Sequence, residues 1–345
     1  MGERGVDEPV LDSSVGAVPA RHCQRIAWVT NERVTAESVL GPIDTGSLGF
    51  TLMHEHVAIR TPGFAENYPE SFDRGAVVEQ AVADLSRLRD KGVRTIVDLT
   101  TVELGRDASL VAEVSRRSGM NIVLTTGSYH FVPSYFRPRT RERISELFVK
   151  DLTVGIADTG VRAGLIKCAV DEPGMTDPIR KLTEAAALAQ QATGALISTH
   201  TSPASYSGLA QAEVLASAGA DLSRVVIGHS GDTTDLGYLR ALLAMGCSLG
   251  LDRFGLVEYL DTRSRCEVVA ALCQEGFADR LVLSHDAFCF NDSVSRRYRD
   301  QHLPFWRMDH LIDDVLPMLR ELGVRDDDIT AMTVTNPARL LAFTT

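Results

Sequence analysis

The chain has 345 residues, of which 44% are hydrophobic, and its formal net charge at pH 7 is −11, with a pI near 5.3. This length and hydrophobic content allow one large core or two domains, and the acidic balance argues against a nucleic-acid partner. No apolar stretch reaches the length of a membrane span and the N-terminus lacks a continuous apolar signal core, so we expect neither membrane association nor export.

The first 33 residues are polar and differ in composition from the rest of the chain. We predict that residues 1–33 are a disordered extension or the result of an early start assignment. Residues 34–345 are then predicted to form a single domain.

The first predicted strand, residues 49–56, carries two histidines spaced by two. The period of two in a strand places His54 and His56 on one face and Glu55 on the other, so one face can hold a metal ion with two imidazoles. The helical zinc motif needs histidines four apart and is excluded. The alternative is that the two histidines are merely partly buried polar residues of a strand.

Seven further short apolar runs follow, and amphipathic segments with helical spacing lie between them. The eight runs are residues 49–56, 94–101, 121–128, 163–170, 195–201, 224–231, 247–254 and 280–287. The helical segments include residues 77–91, 107–118, 179–193, 208–218 and 263–276. This alternation predicts a (β/α)8 TIM barrel. An open doubly wound sheet would normally carry a glycine-rich phosphate turn, and no convincing one is present.

Six residues that could bind metal stand late in five of these strands. In a barrel of this kind the C-terminal strand ends converge on one mouth, so we predict a binuclear metal centre there. Taken singly, each histidine fits a core or rim residue and the aspartate fits a helix cap. The six are His54, His56, Lys167, His200, His229 and Asp286.

Lys167 is the unusual member of this set, because burial of an ammonium group in a strand is costly and should lower its pKa. A neutral amine can add carbon dioxide and become a carbamate, which could bridge two cations. The alternative is a lysine whose ammonium reaches the mouth or pairs with Asp286.

The segment after the eighth run, residues 287–308, is predicted to be a long loop with several aromatic residues. Such a loop on the catalytic face is usually a lid or a specificity element. The aromatic residues would suit apolar groups of a substrate, or they pack the loop onto the barrel; they are Phe288, Phe290, Tyr298, Phe305 and Trp306. Helical spacing then follows over residues 310–322, and residues 326–328 can cap a final helix.

Several short motifs are distributed along the chain. They are Gly41-Pro42-Ile43, Leu-Gly-Phe-Thr-Leu-Met-His-Glu-His at 48–56, Gly-Leu-Ile-Lys at 164–167, Thr-His-Thr at 199–201, Gly-His-Ser-Gly-Asp at 228–232, Gly-Leu-Asp-Arg-Phe-Gly at 250–255, Ser-His-Asp at 284–286 and Thr-Asn-Pro-Ala-Arg at 335–339. These motifs resemble those of the phosphotriesterase family of the amidohydrolase superfamily, and most of all its phosphotriesterase-like lactonases. The resemblance covers nearly all of residues 38–343.

The resemblance implies two divalent metal ions, zinc first, with cobalt, manganese or iron also compatible. His54, His56 and Asp286 would hold the buried ion, and His200 and His229 the more exposed one. Carboxylated Lys167 and a hydroxide would bridge the two ions. The hydroxide would attack the substrate, and Asp286 would accept its proton.

Two further residues receive catalytic roles. Tyr129 could donate a hydrogen bond to the hydroxide or to the developing oxyanion, or it could simply pack a rim loop. Arg253 could steer a lactone carbonyl or pair with Asp252. The lactonase branch has a tyrosine at the position of Tyr129, where phosphotriesterases proper have a tryptophan. A second tyrosine of the archaeal lactonases is Phe131 here, and the loop after Asp286 lacks their tryptophan, which leaves the preferred substrate open.

We therefore expect a metal-dependent lactonase that opens N-acyl-homoserine lactones or other γ- or δ-lactones and also hydrolyses phosphotriesters. The alternatives are a true phosphotriesterase and, from another class, a binding protein that has lost catalysis. The family resemblance also implies a homodimer.

The six cysteines show no metal-type spacing, and several lie in apolar runs where free thiols behave as small hydrophobes. This use of cysteine predicts a cytoplasmic protein. The six are Cys23, Cys168, Cys247, Cys266, Cys273 and Cys289.

Overall fold

The computed structural model describes residues 34–343, so the prediction for residues 1–33 lies outside the described part of the chain. The described part starts with a hairpin in which β1 (Thr35–Ser38) pairs antiparallel with β2 (Gly41–Asp44). Gly41 has a φ of +108°, a value that side chains rarely adopt, at the turn. The backbone nitrogen of Phe343 donates to the carbonyl of Thr35 at 2.7 Å, so the hairpin lies beside the end of the chain.

Nine parallel strands form the main sheet, and they account for all eight predicted strand positions. They are β3 (Phe50–Ile59), β4 (Val93–Asp98), β5 (Asn121–Gly127), β6 (Leu165–Ala169), β7 (Leu196–His200), β8 (Val225–Ile227), β9 (Ser248–Leu251), β10 (Leu281–Leu283) and β11 (Ala287–Asn291). Most strands are shorter than the apolar runs that predicted them. The run 224–231, for example, leaves the sheet after Ile227, because His229 takes up a left-handed φ of +58°.

The eighth strand position is divided between β10 and β11, and this division closes the barrel. β10 pairs with β9, whereas β11 pairs with β3. Between the two, the backbone nitrogen of Asp286 donates to the carbonyl of His54 at 2.9 Å. The fold is therefore a (β/α)8 barrel, as predicted. The prediction of a loop over residues 287–308 is wrong in two places, because residues 287–291 pair with β3 and residues 296–302 form a helix.

Helices cover the outside of the barrel and include all of the predicted ones. They are α1 (Phe64–Asn67), α2 (Arg74–Asp90), α3 (Ala108–Ser118), α4 (Arg141–Thr153), α5 (Asp177–Thr193), α6 (Ser207–Ser217), α7 (Leu236–Ala244), α8 (Thr262–Gln274), α9 (Arg296–His302), α10 (Leu316–Glu321), α11 (Asp326–Thr330) and α12 (Asn336–Leu341). Two π-helical turns, Leu311–Val315 and Ala331–Thr335, lead into α10 and α12. No helix among residues 34–343 combines the length and the hydrophobicity needed to cross a bilayer.

The core has an inner layer within the barrel and an outer layer between strands and helices. In β4, Val97 belongs to the inner cluster and its neighbour Ile96 to the outer one, and both are fully buried. Leu165 of β6 also lies in the inner cluster. Because side chains alternate along a strand, Lys167 shares the inward face of Leu165 but stands nearer the C-terminal end. Because both faces of the strands are buried, the strands appear in the sequence as continuous apolar runs.

Candidate metal centre

The six predicted ligand residues lie within the barrel strands or shortly after them. Two are in β3, one each in β6 and β7, one follows β8, and one lies in the break between β10 and β11. In that order they are His54, His56, Lys167, His200, His229 and Asp286. The first five are at most 4% exposed, and the carboxylate of Asp286 retains 16% exposure.

The Asp286 carboxylate is the meeting point of three imidazoles. Its Oδ1 lies 3.3 Å from Nε2 of His54 and 3.1 Å from Nε2 of His56. Its Oδ2 lies 3.9 Å from Nε2 of His229. Three nitrogens and a carboxylate that converge in this way are the donor set typical of a zinc-type cation.

A second group of donors lies beside the first. Nδ1 of His200 is 2.8 Å from Nε2 of His229, and the hydroxyl of Tyr129 is 3.4 Å from the same Nδ1. Two imidazole nitrogens that face one another directly can share one proton or one cation. The geometry thus brings Tyr129 to the site, together with the two residues predicted to hold the more exposed ion.

Asp252 accepts hydrogen bonds from one histidine of each group, through the ring nitrogens that do not face the site. The sequence analysis missed this role. Its Oδ2 accepts from Nδ1 of His54 at 2.7 Å, and its Oδ1 accepts from Nδ1 of His229 at 3.0 Å. Each bond fixes the imidazole tautomer so that Nε2 faces the site, as carboxylates hydrogen-bonded to metal-binding histidines commonly do. Nδ1 of His56 contacts Oγ1 of Thr100 at 2.8 Å in the same manner. Asp252 directly follows β9, so the expectation that residues at the C-terminal strand ends meet at one mouth could have identified it.

Two candidate ligands have strained backbones. His229 and Asp286 have φ values of +58° and +54°, in the left-handed region that non-glycine residues seldom occupy. Each such residue costs on the order of 1–3 kcal/mol and persists only when its surroundings hold it there. The backbone nitrogen of His229 donates to Oδ1 of Asp252 at 2.7 Å, and that of Asp286 to the carbonyl of His54. Strain of this kind is concentrated at functional sites.

Lys167 is enclosed, with 2% of its surface exposed, and its Nζ donates to the carbonyl of Thr199 at 3.1 Å. Burial lowers the pKa of its amine to about 8. The ammonium neither reaches the mouth nor forms an ion pair within 4.0 Å in the described residues, so both alternative interpretations of this lysine are wrong. A buried amine with a lowered pKa is the kind that reacts with electrophiles.

The protonation of the imidazoles favours metal binding. Burial lowers the pKa of His54, lowers that of His200 to about 4, and holds that of His229 well below its usual range. Metal ions bind the neutral imidazole, which is therefore available at neutral pH. Burial acts against ionisation of Asp286, but His54, His56 and Arg253 outweigh it and hold the pKa of this carboxyl well below its usual range.

Arg253 contacts the site directly. Its Nε donates to Oδ2 of Asp286 at 3.0 Å, and a terminal nitrogen donates to Oδ2 of Asp232 at 2.9 Å. The other oxygen of Asp232 accepts from the buried Arg265 at 2.6 Å. The alternative that Arg253 pairs with Asp252 is therefore wrong: the partners are Asp286 and Asp232, a chain of charges that the sequence analysis did not find.

The aromatic residues after Asp286 divide into two groups. Nε1 of Trp306 donates to the carbonyls of His285 and Asp286 at 3.0 and 3.1 Å, and its ring packs edge-on against the buried Phe288. These two residues support the break in the eighth strand. Tyr298 and Phe305 remain about half exposed, at 52% and 49%. Packing is thus the correct interpretation for Phe288 and Trp306.

A family model described as the phosphotriesterase family matches residues 34–341 of this chain. The chain belongs to the phosphotriesterase family. The resemblance inferred from the motifs is thereby confirmed, and the donor set described above agrees with the metal dependence of this family of hydrolases.

Individual members of the phosphotriesterase family are similar to the chain over most of their length. A Mycobacterium tuberculosis protein described as a phosphotriesterase homology protein is 46% identical over 310 residues, covering 87% of this chain and 95% of that relative. A Saccharolobus solfataricus aryldialkylphosphatase is 33% identical over 304 residues, covering 87% and 97%. The solved structure of the phosphotriesterase from M. tuberculosis matches with a TM-score of 0.87 at 44% identity, covering 90% of this chain and 100% of that one.

Proposed function

We propose that this chain is a binuclear metal-dependent lactonase that opens N-acyl-homoserine lactones or other γ- or δ-lactones and hydrolyses phosphotriesters as a side activity. The observation that carries the proposal is the convergence of Nε2 of His54 and of His56 on one oxygen of Asp286, at 3.3 and 3.1 Å. Beside it, the facing nitrogens of His200 and His229 offer a second position.

The residues fit two divalent cations, since neutral imidazoles and a carboxylate are ligands of zinc, cobalt, manganese and iron. Bound there, the two ions would supply an acidified water nucleophile and polarise the substrate oxygen. His54, His56 and Asp286 would hold one ion, and His200 and His229 the other. We propose that Lys167 becomes N6-carboxylated and contributes to both ions, which agrees with its enclosed amine and lowered pKa.

Asp286 would accept the proton of the attacking water through the oxygen that faces the imidazoles. Arg253 holds the other oxygen, which orients the carboxylate and keeps it ionised until the proton arrives. Asp286 would then hand the proton to the leaving group, while Arg253 stays charged and paired with Asp232 at 2.9 Å.

Tyr129 would donate a hydrogen bond to the oxyanion that forms during ring opening. Burial raises the pKa of its phenol well above the usual value, so the group stays protonated and able to donate. A tyrosine at this place is the feature of the family resemblance that favours lactones over phosphotriesters.

The second candidate function is that of a true phosphotriesterase, an organophosphate hydrolase. The favouring observation is the 33% identity to a relative described as an aryldialkylphosphatase. Both functions use the same residues, so only substrate turnover separates them.

A substrate panel tests the ordering of these two functions. Protein stripped of metal and reloaded with zinc, cobalt or manganese is assayed on acyl-homoserine lactones of several chain lengths, on simple γ- and δ-lactones and on paraoxon. We expect kcat/KM to be higher for a lactone than for paraoxon. Turnover of paraoxon alone would establish the phosphotriesterase instead, and absence of bound metal with no hydrolysis would indicate a binding protein.

We further propose that the protein is a cytoplasmic homodimer. The five cysteines among the described residues are all unpaired, and four of them are buried, which supports a reducing compartment. Light scattering coupled to size-exclusion chromatography would measure the oligomeric state, and a monomer mass would overturn that part of the proposal.

A further inference from the structure

His200 faces two groups of ligands. Its Nδ1 faces His229 in the proposed centre, whereas its Nε2 lies 2.8 Å from Oδ2 of Asp171 on the outer side. His130 approaches the same outer side, with its ring centre 5.7 Å from that of His200. His130, Asp171 and His200 each offer one ligand atom, and all three atoms lie within 4.8 Å of one another.

The proposed function gives no role to the imidazole of His130. It stands at the rim, half-buried, and its ring centre lies 4.3 Å from that of Tyr129 and 4.0 Å from that of Phe131. Its Nδ1 is shielded from solvent, yet it has no hydrogen-bond partner among residues 34–343. A shielded nitrogen without a partner is a group that a ligand would satisfy.

Asp171 supplies the negative charge of this group. It lies two residues beyond β6, and its side chain keeps 33% exposure, so a solute can reach it from the mouth of the barrel. Its Oδ1 accepts from the backbone nitrogen of Glu172 at 2.8 Å, which fixes the orientation of the carboxylate. The carboxylate side of the group is thus held in place.

We propose that His130, Asp171 and His200 form a peripheral site for a single divalent cation of the zinc type. Two imidazoles and a carboxylate are common zinc ligands, and ligands of a tetrahedral zinc ion lie about 3.4 Å apart. The three ligand atoms lie within 4.8 Å of one another, so the bound ion would draw them closer together to reach that spacing. The inference rests on the proposed function, because His200 also belongs to the core centre.

Binding at the peripheral site replaces a proton with a cation. The Nε2–H bond of His200 breaks, the proton leaves to solvent and the ring becomes an imidazolate; bonds form from the cation to Nε2, to the carboxylate of Asp171 and to a ring nitrogen of His130, with no change in oxidation state. Because cations in the core centre repel a further cation nearby, the peripheral site is weaker than the core positions. When the peripheral site is occupied, His200 is bound to two ions at once, so excess zinc inhibits hydrolysis.

Metal stoichiometry tests this inference without relying on activity. The full chain is dialysed against stepwise increasing free zinc, and bound metal is measured by mass spectrometry and calorimetry. We expect the unaltered protein to bind two tight equivalents and a third, weaker one. His130→Ala and Asp171→Asn should each lose the third equivalent, whereas the neighbouring rim variant Phe131→Ala should keep it.

Activity at excess zinc gives a second readout: inhibition should be present in the unaltered protein and in Phe131→Ala but absent in His130→Ala. Binding that stops at two equivalents at zinc levels well above saturation of the core would overturn the peripheral site alone. A third equivalent that persists in His130→Ala would do the same. Fewer than two equivalents would overturn the proposed binuclear centre and the peripheral site with it.

Discussion

Replacement of Glu55 by glutamine should destabilise the barrel where its last strand position meets its first strand. It should also reduce activity. Glu55 is fully buried, and one of its oxygens accepts from Oγ of Ser284 at 2.8 Å, from the backbone nitrogen of His285 at 3.0 Å and from Nδ1 of His285 at 2.6 Å. Its other oxygen accepts from the backbone nitrogen of Ala287 at 2.9 Å. One side chain of β3 therefore holds both sides of Asp286.

The cost of the change follows from these four hydrogen bonds. Glutamine can place its carbonyl toward the three donors, but its amide then faces the Ala287 nitrogen, donor against donor. A hydrogen bond to a charged group contributes about 1.5–3 kcal/mol, and a buried unsatisfied donor costs a similar amount. We expect Glu55→Gln to lower the free energy of unfolding by about 3 kcal/mol. A shift of Asp286 by about 1 Å would further reduce kcat by about 100-fold.

Urea unfolding followed by circular dichroism measures the stability, and lactone turnover of zinc-loaded protein measures the activity. Glu267→Gln serves as the matched control, because Glu267 is exposed on α8 and forms a surface ion pair with the exposed Arg263 at 3.1 Å. The control should change stability by no more than about 0.5 kcal/mol. An unfolding midpoint and a kcat of Glu55→Gln that equal those of the control would refute the reasoning.

The remaining predictions concern the support of the candidate ligands. Asp252→Asn should weaken metal affinity by about 10–100-fold, because asparagine keeps only one acceptor oxygen and presents an amide donor to the other of the two histidines that Asp252 orients; chelator competition measures it, with the exposed Asp279→Asn as control. Lys167→Ala should nearly abolish turnover and Lys167→Glu should restore part of it, since glutamate can again bridge two cations; equal activity of the unaltered protein and the alanine variant would exclude a role for the carbamate. Arg265→Met should destabilise the protein by about 3–5 kcal/mol in urea unfolding, because it leaves a buried carboxylate and three backbone carbonyls without this donor; an unchanged midpoint would contradict this.

The strand and helix order could be predicted from the sequence because each element carries its own pattern. Burial of both faces made the strands continuous apolar runs, and the helices between them repeat apolar residues every three to four positions. The boundaries were less certain, since a run such as 224–231 contains residues that leave the sheet to serve the site. The break in the eighth strand was missed for the same reason.

The candidate ligands could also be found from the sequence alone. In a closed parallel barrel all strands point the same way, so donor residues late in strands must meet at one mouth whatever the loops do. This rule placed His54, His200 and Asp286 together without any knowledge of distance. Asp252 is also an aspartate that directly follows a strand, but the sequence analysis considered it only as a partner of Arg253.

Only the tertiary structure decided which side chains support and orient those ligands. Asp252 and His54 are separated by 198 positions and Glu55 and Ala287 by 232, yet each pair is joined by a hydrogen bond. No local pattern encodes such a pairing, because it depends on the register at which the last strand meets the first. The sequence alone determined the barrel and the residue types at its mouth, whereas closure of the sheet decided their tautomers, charges and strain.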